Sequence, residues 1–196
     1  MANISDGYGD ITVRKVGKEF LQFINKVQEG AYYLLVDSTD GVVPDENGDI
    51  GFTFGAGGRW NYGSNIDGYL KGDWMTVDKE KKAYDKFIKV LTKKNGTVTI
   101  DYKDSDTSMD WMGEGTFKMS VGKDGQVEFS DSWAEESITL EKFAERNGES
   151  TYWALEYIYG DEVATKYNQY AEKLEKEGKE PVAPEVWCDT VYEEEE

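Results

Sequence analysis

The sequence predicts an α+β fold, an antiparallel or mixed sheet with helices on one face and a ferredoxin-like core, carrying a C-terminal helical extension. Three observations predict it. Apolar alternation with period two recurs in short segments, and the last three of these, within 97–130, are too close together for crossover helices. Apolar residues recur at helical spacing over 15–28 and 78–93, and a layer of helices on one sheet face buries both patterns. From Thr139 to about Leu174 the spacing is helical.

Taken in order, Ile11-Thr12-Val13 is a short extended segment, and Val16, Phe20, Phe23, Ile24 and Val27 then form one helical stripe ended by Gly30. Ala31 to Val36 reads as a buried strand. Asp40-Gly41, Pro44 and Asn47-Gly48 make 37–49 a looped stretch. Ile50, Phe52 and Phe54 alternate as a second strand, followed by a glycine-rich loop over 55–63. In that loop Arg59, Trp60 and Tyr62 either present a contact surface or, with Trp74, fold back over the sheet as lids. Asp78 is placed to cap a helix with Ala83, Phe87, Ile88 and Leu91 inward, stopped by Asn95-Gly96. Thr97 to Tyr102 alternates as a strand. Phe117, Met119 and Val121 pair through Lys123-Asp124-Gly125 with Val127 and Phe129 as a hairpin.

Thr139 caps a short helix to Arg146, Asn147-Gly148 breaks it, and Tyr152, Leu155 and Tyr159 continue the helical spacing. Asp161 opens the most regular helix, with Val163, Tyr167, Tyr170 and Leu174 on one side. Pro181 and Pro184 favour an extended tail. The expected organisation is a sheet domain over 1–134, a helical extension over 135–180 packed on it, and an extended acidic tail over 181–196, with Glu193 to Glu196 in solvent.

The 196 residues carry a formal charge of -18, yet they include 6 Trp, 13 Tyr and 8 Phe. Disordered acidic segments are poor in aromatics, so this is a folded body with a negative coat. Such a coat repels nucleic acid and anionic membrane and attracts basic surfaces. Without a signal-peptide pattern or a long apolar run, the chain is expected in the cytoplasm. The lone Cys188 forms no internal disulfide.

Catalytic chemistry finds little to use. The sequence has no His, which removes the commonest general base and zinc ligand. Cys188 is flanked by Glu185 and Asp189, which disfavour a thiolate. Asp101, Asp104, Asp106, Asp110 and Glu114 are oxygen ligands of the type Mg²⁺ or Ca²⁺ takes, but their spacing fails the calcium-loop pattern. Gly55, Gly57 and Gly58 lack the Lys-Ser/Thr ending of a phosphate loop. No cofactor or metal is expected, and no enzyme activity.

Gly58-Arg59-Trp60-Asn61, the helix over 79–93, and Val98 to Tyr102 leading into Asp110-Trp111-Met112-Gly113-Glu114-Gly115 together resemble the YubB-type ferredoxin-like domains of plasmids and phages. The resemblance covers about 11–130. It departs in the 37–49 loop and in 135–196, and it implies a mobile-element origin more than a chemistry.

The acids concentrate where the bases are few. Asp101, Asp104, Asp106, Asp110 and Glu114, then Glu128, Asp131, Glu135, Glu136, Glu141, Glu145 and Glu149, are expected to form one rigid anionic surface, with Trp111, Met112 or Trp133 as desolvated anchors. A groove built for DNA is lined with Lys and Arg, and such a surface would occupy it. The expected function is therefore an inhibitor acting by DNA mimicry on a nucleic-acid-binding protein of a host restriction or CRISPR-type complex, with no direct contact to nucleic acid or membrane. Two alternatives stand beside it: an acidic structural domain, and a divalent-metal hydrolase using Asp101, Asp104, Asp106 and Asp110.

Overall fold

The computed structural model describes residues 4–59, 61–106, 112–136, 139–188 and 190. The side chains of Arg59, Asp106, Glu135 and Glu136, and the whole of Trp60, Asp110 and Trp111, lie outside what it describes. The chain forms two compact units, one of sheet and helices ending at Glu136 and one of helices beginning at Ser137.

The sheet unit holds β1 (Ile4–Arg14), β2 (Ile50–Arg59), β3 (Thr97–Asp106), β4 (Met112–Val121) and β5 (Val127–Glu136). Their order is β2-β1-β3-β4-β5 and every pair is antiparallel. The fold is therefore mixed α+β. One helix follows β1, α1 (Gly17–Val27), and another, α3 (Asp78–Lys94), links β2 to β3. Because β2 and β3 flank β1 and both oppose it, β2-α3-β3 is a split β-α-β unit. A ferredoxin-like core interleaves two such units; here β2 pairs directly with β1, Val13 opposite Ile50, so α1 joins neighbours and forms none.

Strand alternation aims Ile11, Val13, Ile50, Phe54, Val98, Ile100, Phe117 and Met119 to one face, where they are buried. The helices supply the other half of this core. Phe20, Phe23, Ile24 and Val27 of α1 repeat every three or four residues, and Phe23 stacks on Phe87 of α3 with centroids 4.8 Å apart. Each such ring contributes roughly 2 kcal/mol by leaving water. Helix α3 stops where Asn95 turns left-handed (φ 50°) and Gly96 N–H bonds the Leu91 carbonyl at 3.0 Å. Its N-cap is Val77 rather than the expected Asp78, which is the first helical residue, and Glu80 accepts from the Val77 N–H at 3.4 Å.

Two expectations fail here for identifiable reasons. Residues 31–36 are not a strand, because side chains supply the partners a strand would need. Gln28 accepts from Leu35 N–H and donates to the Val36 carbonyl, at 3.2 and 3.0 Å. The Tyr62 hydroxyl donates to the Leu35 carbonyl at 2.5 Å, Asn65 to Leu34 at 2.6 Å, and the Tyr69 hydroxyl to Tyr33 at 2.8 Å. The glycine-rich 55–63 stretch, expected as a loop, continues β2 as far as Arg59 and then enters α2 (Tyr62–Ile66), followed by a π-helical turn, Asp67–Lys71. Glycine fits at 58, where a Cβ would lie 2.8 Å from the Tyr62 backbone nitrogen, and the Tyr62 ring in turn lies on Gly7 of β1, where a Cβ would sit 2.4 Å from it.

The helical unit comprises α4 (Leu140–Asn147), α5 (Thr151–Tyr159), α6 (Asp161–Lys176) and α7 (Pro184–Trp187). Thr139 and Ser150 cap α4 and α5 through Lys142 N–H at 3.3 Å and Trp153 N–H at 3.1 Å. The expected extended tail is helical at α7. Trp187 is buried with its ring 5.5 Å from Tyr167 and 5.8 Å from Tyr170, and Glu185 accepts the Leu140 N–H at 2.5 Å.

Candidate functional site

Among the described residues, no helix of the sheet unit covers the face of the sheet opposite α1 and α3. Alternation places Asp6, Tyr8 and Asp10 of β1, Thr53 of β2, Asp101 and Lys103 of β3, Glu114, Thr116 and Lys118 of β4, and Glu128 and Ser132 of β5 there, all exposed. Antiparallel register sets them in rows. One row runs Thr53, Asp10, Asp101, Thr116, Ser132; the next holds Tyr8, Lys103 and Glu114. Together these two rows line an open groove of about 720 Å³.

Within the groove the Thr116 hydroxyl donates to Asp101 at 2.6 Å, which holds that carboxylate upright on the face. Lys103 stands between Tyr8 and Glu114 in register, so one of the two lysines lies among the acids. Thr, Ser, Gly and Ala134 fill most of the remaining positions, with Arg14 and Met112 at the margins, and Tyr8 is the large ring on this face among the described residues.

The predicted residues therefore separate. Asp101, Glu114 and Glu128 share the open face. Asp104, three residues from Asp101, points to the helical side and is fully buried. Burial pushes its carboxyl above the usual aspartate range, against the Ser5 hydroxyl and the Tyr62 and Ser105 N–H groups that favour its charged form. It accepts the Tyr62 N–H and so anchors α2 to β3. Asp104 is thus a structural residue and no part of a contact surface, and it cannot share a metal ion with Asp101. Tyr62, expected in a second contact loop, is likewise buried.

Asp131 and Trp133 also face the helical side, from the last strand of the sheet. Trp133 is 38% exposed and stacks on Tyr102 with centroids 5.6 Å apart. Asp131 is raised by burial, opposed by the Lys71 ammonium, which itself bonds Asp67 at 2.7 Å. Glu141, Glu145 and Glu149 are exposed, but they belong to the helical unit. The described members of the series over 101–136 are thus divided between two faces of the sheet, and Glu141, Glu145 and Glu149 belong to the other unit. Asp106, Glu135 and Glu136 lie in strands, but their side chains, like Asp110, Trp111, Arg59 and Trp60, fall outside the described residues.

Asp6, Tyr8 and Asp10 are the residues the sequence reading missed. Their signal is the alternation Asp6-Gly7-Tyr8-Gly9-Asp10 immediately before Ile11, a period-two pattern hidden by glycine on the buried side.

Among the described residues no group of three or more His, Cys, Asp or Glu side chains comes together to hold a metal ion. No described helix is long and apolar enough to cross a membrane. No protein-family model matches the chain, and no curated protein matches it.

Proposed function

We propose that this chain is a non-catalytic binding module that lays the open face of its sheet on a basic surface of a nucleic-acid-binding protein and competes there with nucleic acid. The observation that carries the reading is the face itself: Asp6, Asp10, Asp101, Glu114 and Glu128 stand against Lys103, Lys118 and Arg14, the last paired with Asp49 at 2.9 Å, on a five-stranded sheet and in a chain of charge -18. Rigidity matters because the carboxylates are presented without a further ordering cost.

Spacing limits how literal the mimicry is. Duplex DNA carries one charge per roughly 1.7 Å of axis. Residues on one face of a strand lie about 6.8 Å apart and neighbouring strands about 4.8 Å. The face is therefore less charged than a duplex, and it supplies steering and register, while Tyr8 and the flat Thr/Ser surface supply close contact. A host restriction or CRISPR-type complex is the partner we assign, on the charge and on the resemblance to plasmid- and phage-borne domains.

The test is affinity capture from bacterial lysate at low and high salt, read by mass spectrometry. A stoichiometric nucleic-acid-binding protein, retained at low salt and displaced by added duplex DNA, is the expected result. Capture of no specific protein, or of one that duplex DNA leaves in place, overturns the reading.

A further inference from the structure

A second concave site in the sheet unit shares no residue with the acidic face. Ala31, Tyr32, Tyr33, Tyr69, Trp74 and Thr76 enclose about 250 Å³. The four rings stand in two nearly perpendicular pairs: Tyr32 and Tyr33 at 4.8 Å and 89°, Tyr69 and Trp74 at 5.1 Å and 73°. The Tyr69 hydroxyl bonds the Tyr33 carbonyl at 2.8 Å and ties one pair to the other. Trp74 is seated on Gly68, where a Cβ would lie 2.1 Å from the indole. The Trp74 backbone N–H bonds the Gly68 carbonyl at 2.9 Å, which ties the residue to the π-helical turn under it. The site is thus held from both sides, yet Tyr32 is 82% exposed, which is far from the burial its area would favour.

The chemistry of the walls selects a cation. Ring faces are electronegative, and rings at right angles let one cation meet more than one face. The Glu80 carboxylate, which accepts the Thr76 N–H at 3.3 Å, adds negative charge at the rim and, after burial itself, helps push the Tyr69 hydroxyl up to about 12. A primary ammonium entering here would surrender water to walls that are mostly carbon. A methylated ammonium spreads its charge over methyl groups that need no hydrogen-bond acceptor. The volume falls below the ~300–1,000 Å³ of sites that enclose small-molecule ligands, and the mouth is open, so the site suits a head group whose stem leads outward.

We propose that this aromatic pocket binds the methylated ammonium of a lysine side chain on a protein partner, a class of partner that the charge of -18 attracts. The proposal stands apart from the acidic face, and the two fail separately, since neutralising that face leaves these rings intact.

The test uses the full chain labelled with ¹⁵N. Its Trp74 indole resonance, identified with Trp74→Phe, is followed during titration with four probes: a short peptide carrying trimethyl-lysine, the same peptide with lysine, the same peptide with the uncharged tert-butyl isostere, and choline. The trimethyl-lysine peptide is expected to shift the Trp74 signal to saturation and to bind about tenfold more tightly than the uncharged isostere. Tyr32→Ala should weaken it about fivefold with the rest of the spectrum unchanged. Equal binding of the isostere, choline binding as tightly as the peptide, or no shift with any probe overturns the proposal.

Discussion

Asp10 of β1 and Asp101 of β3 stand directly opposite each other on the open face of the sheet, and Thr116 donates a 2.6 Å hydrogen bond to Asp101. Like charges facing each other across a strand pair cost stability, and no cation lies between these two in register. Asp10→Asn should therefore raise the stability of the sheet unit, by about half a kcal/mol. Urea unfolding at low salt measures it, and the gain should shrink in high salt as the repulsion is screened. A loss of stability would mean that Asp10 has a favourable partner.

Asp104 makes the opposite kind of prediction, because its carboxylate is buried. Its folded-state pKa lies above the usual aspartate value near 3.8. Between those two values the folded chain holds more protons than the unfolded chain, so this group's contribution falls as pH rises through the window. Asp104→Asn keeps an acceptor for the Tyr62 N–H and removes the buried charge. It should match or exceed the parent in stability at pH 7 and lose the advantage as pH falls toward 4. Asp104→Ala orphans the Tyr62 N–H and should cost about 1–3 kcal/mol. Unfolding curves across pH for the three proteins check both statements.

Gly7 and Gly51 separate space from conformation within one sheet. A Cβ on Gly7 would meet the Tyr62 ring at 2.4 Å, whereas one on Gly51 would meet nothing within 4 Å. Gly7→Ala should cost about 1–3 kcal/mol through overpacking. Gly51→Ala should be neutral or stabilising by up to about 1 kcal/mol, since it removes freedom from the unfolded chain. Equal losses at both positions would contradict the burial of Tyr62 against β1.

In the helical unit, the segment after Pro181 closes the core. Truncation after Pro181 removes Trp187 from Tyr167 and Tyr170 and removes the Glu185 carboxylate from Leu140 N–H. Amide exchange in α4 to α6 should accelerate at least tenfold, while β1 to β5 keep their protection. A merely extended tail would leave exchange in α4 to α6 as it was.

Much of the sheet unit was legible because its apolar residues obey a period. Phe20 to Val27, Phe87 with Leu91, and the hairpin at 123–125 declare their elements through spacing and turn chemistry. The segment 31–36 misleads because hydrophobicity alone cannot say that Gln28, Tyr62, Asn65 and Tyr69 will satisfy its backbone from four separate places. Those partners are up to 36 residues away, so no local window contains them. Pairing order is hidden for the same reason, and that is where the ferredoxin-like expectation parts from the observed β2-β1-β3-β4-β5. The site was half legible. Charge density pointed to 101–149, but residue parity divides it: Asp101 and Asp104 differ by three positions and so face opposite ways. Asp6 and Asp10 escaped notice because glycines occupy the buried side of their strand.

The most direct test of the acidic face is to neutralise it and repeat the capture. A chain with Asp6→Asn, Asp10→Asn, Asp101→Asn, Glu114→Gln and Glu128→Gln should keep its fold by amide chemical shifts and lose the captured nucleic-acid-binding partner. A control with Glu141→Gln, Glu145→Gln and Glu149→Gln in the helical unit should retain it. Undiminished capture by the sheet variant would contradict the account.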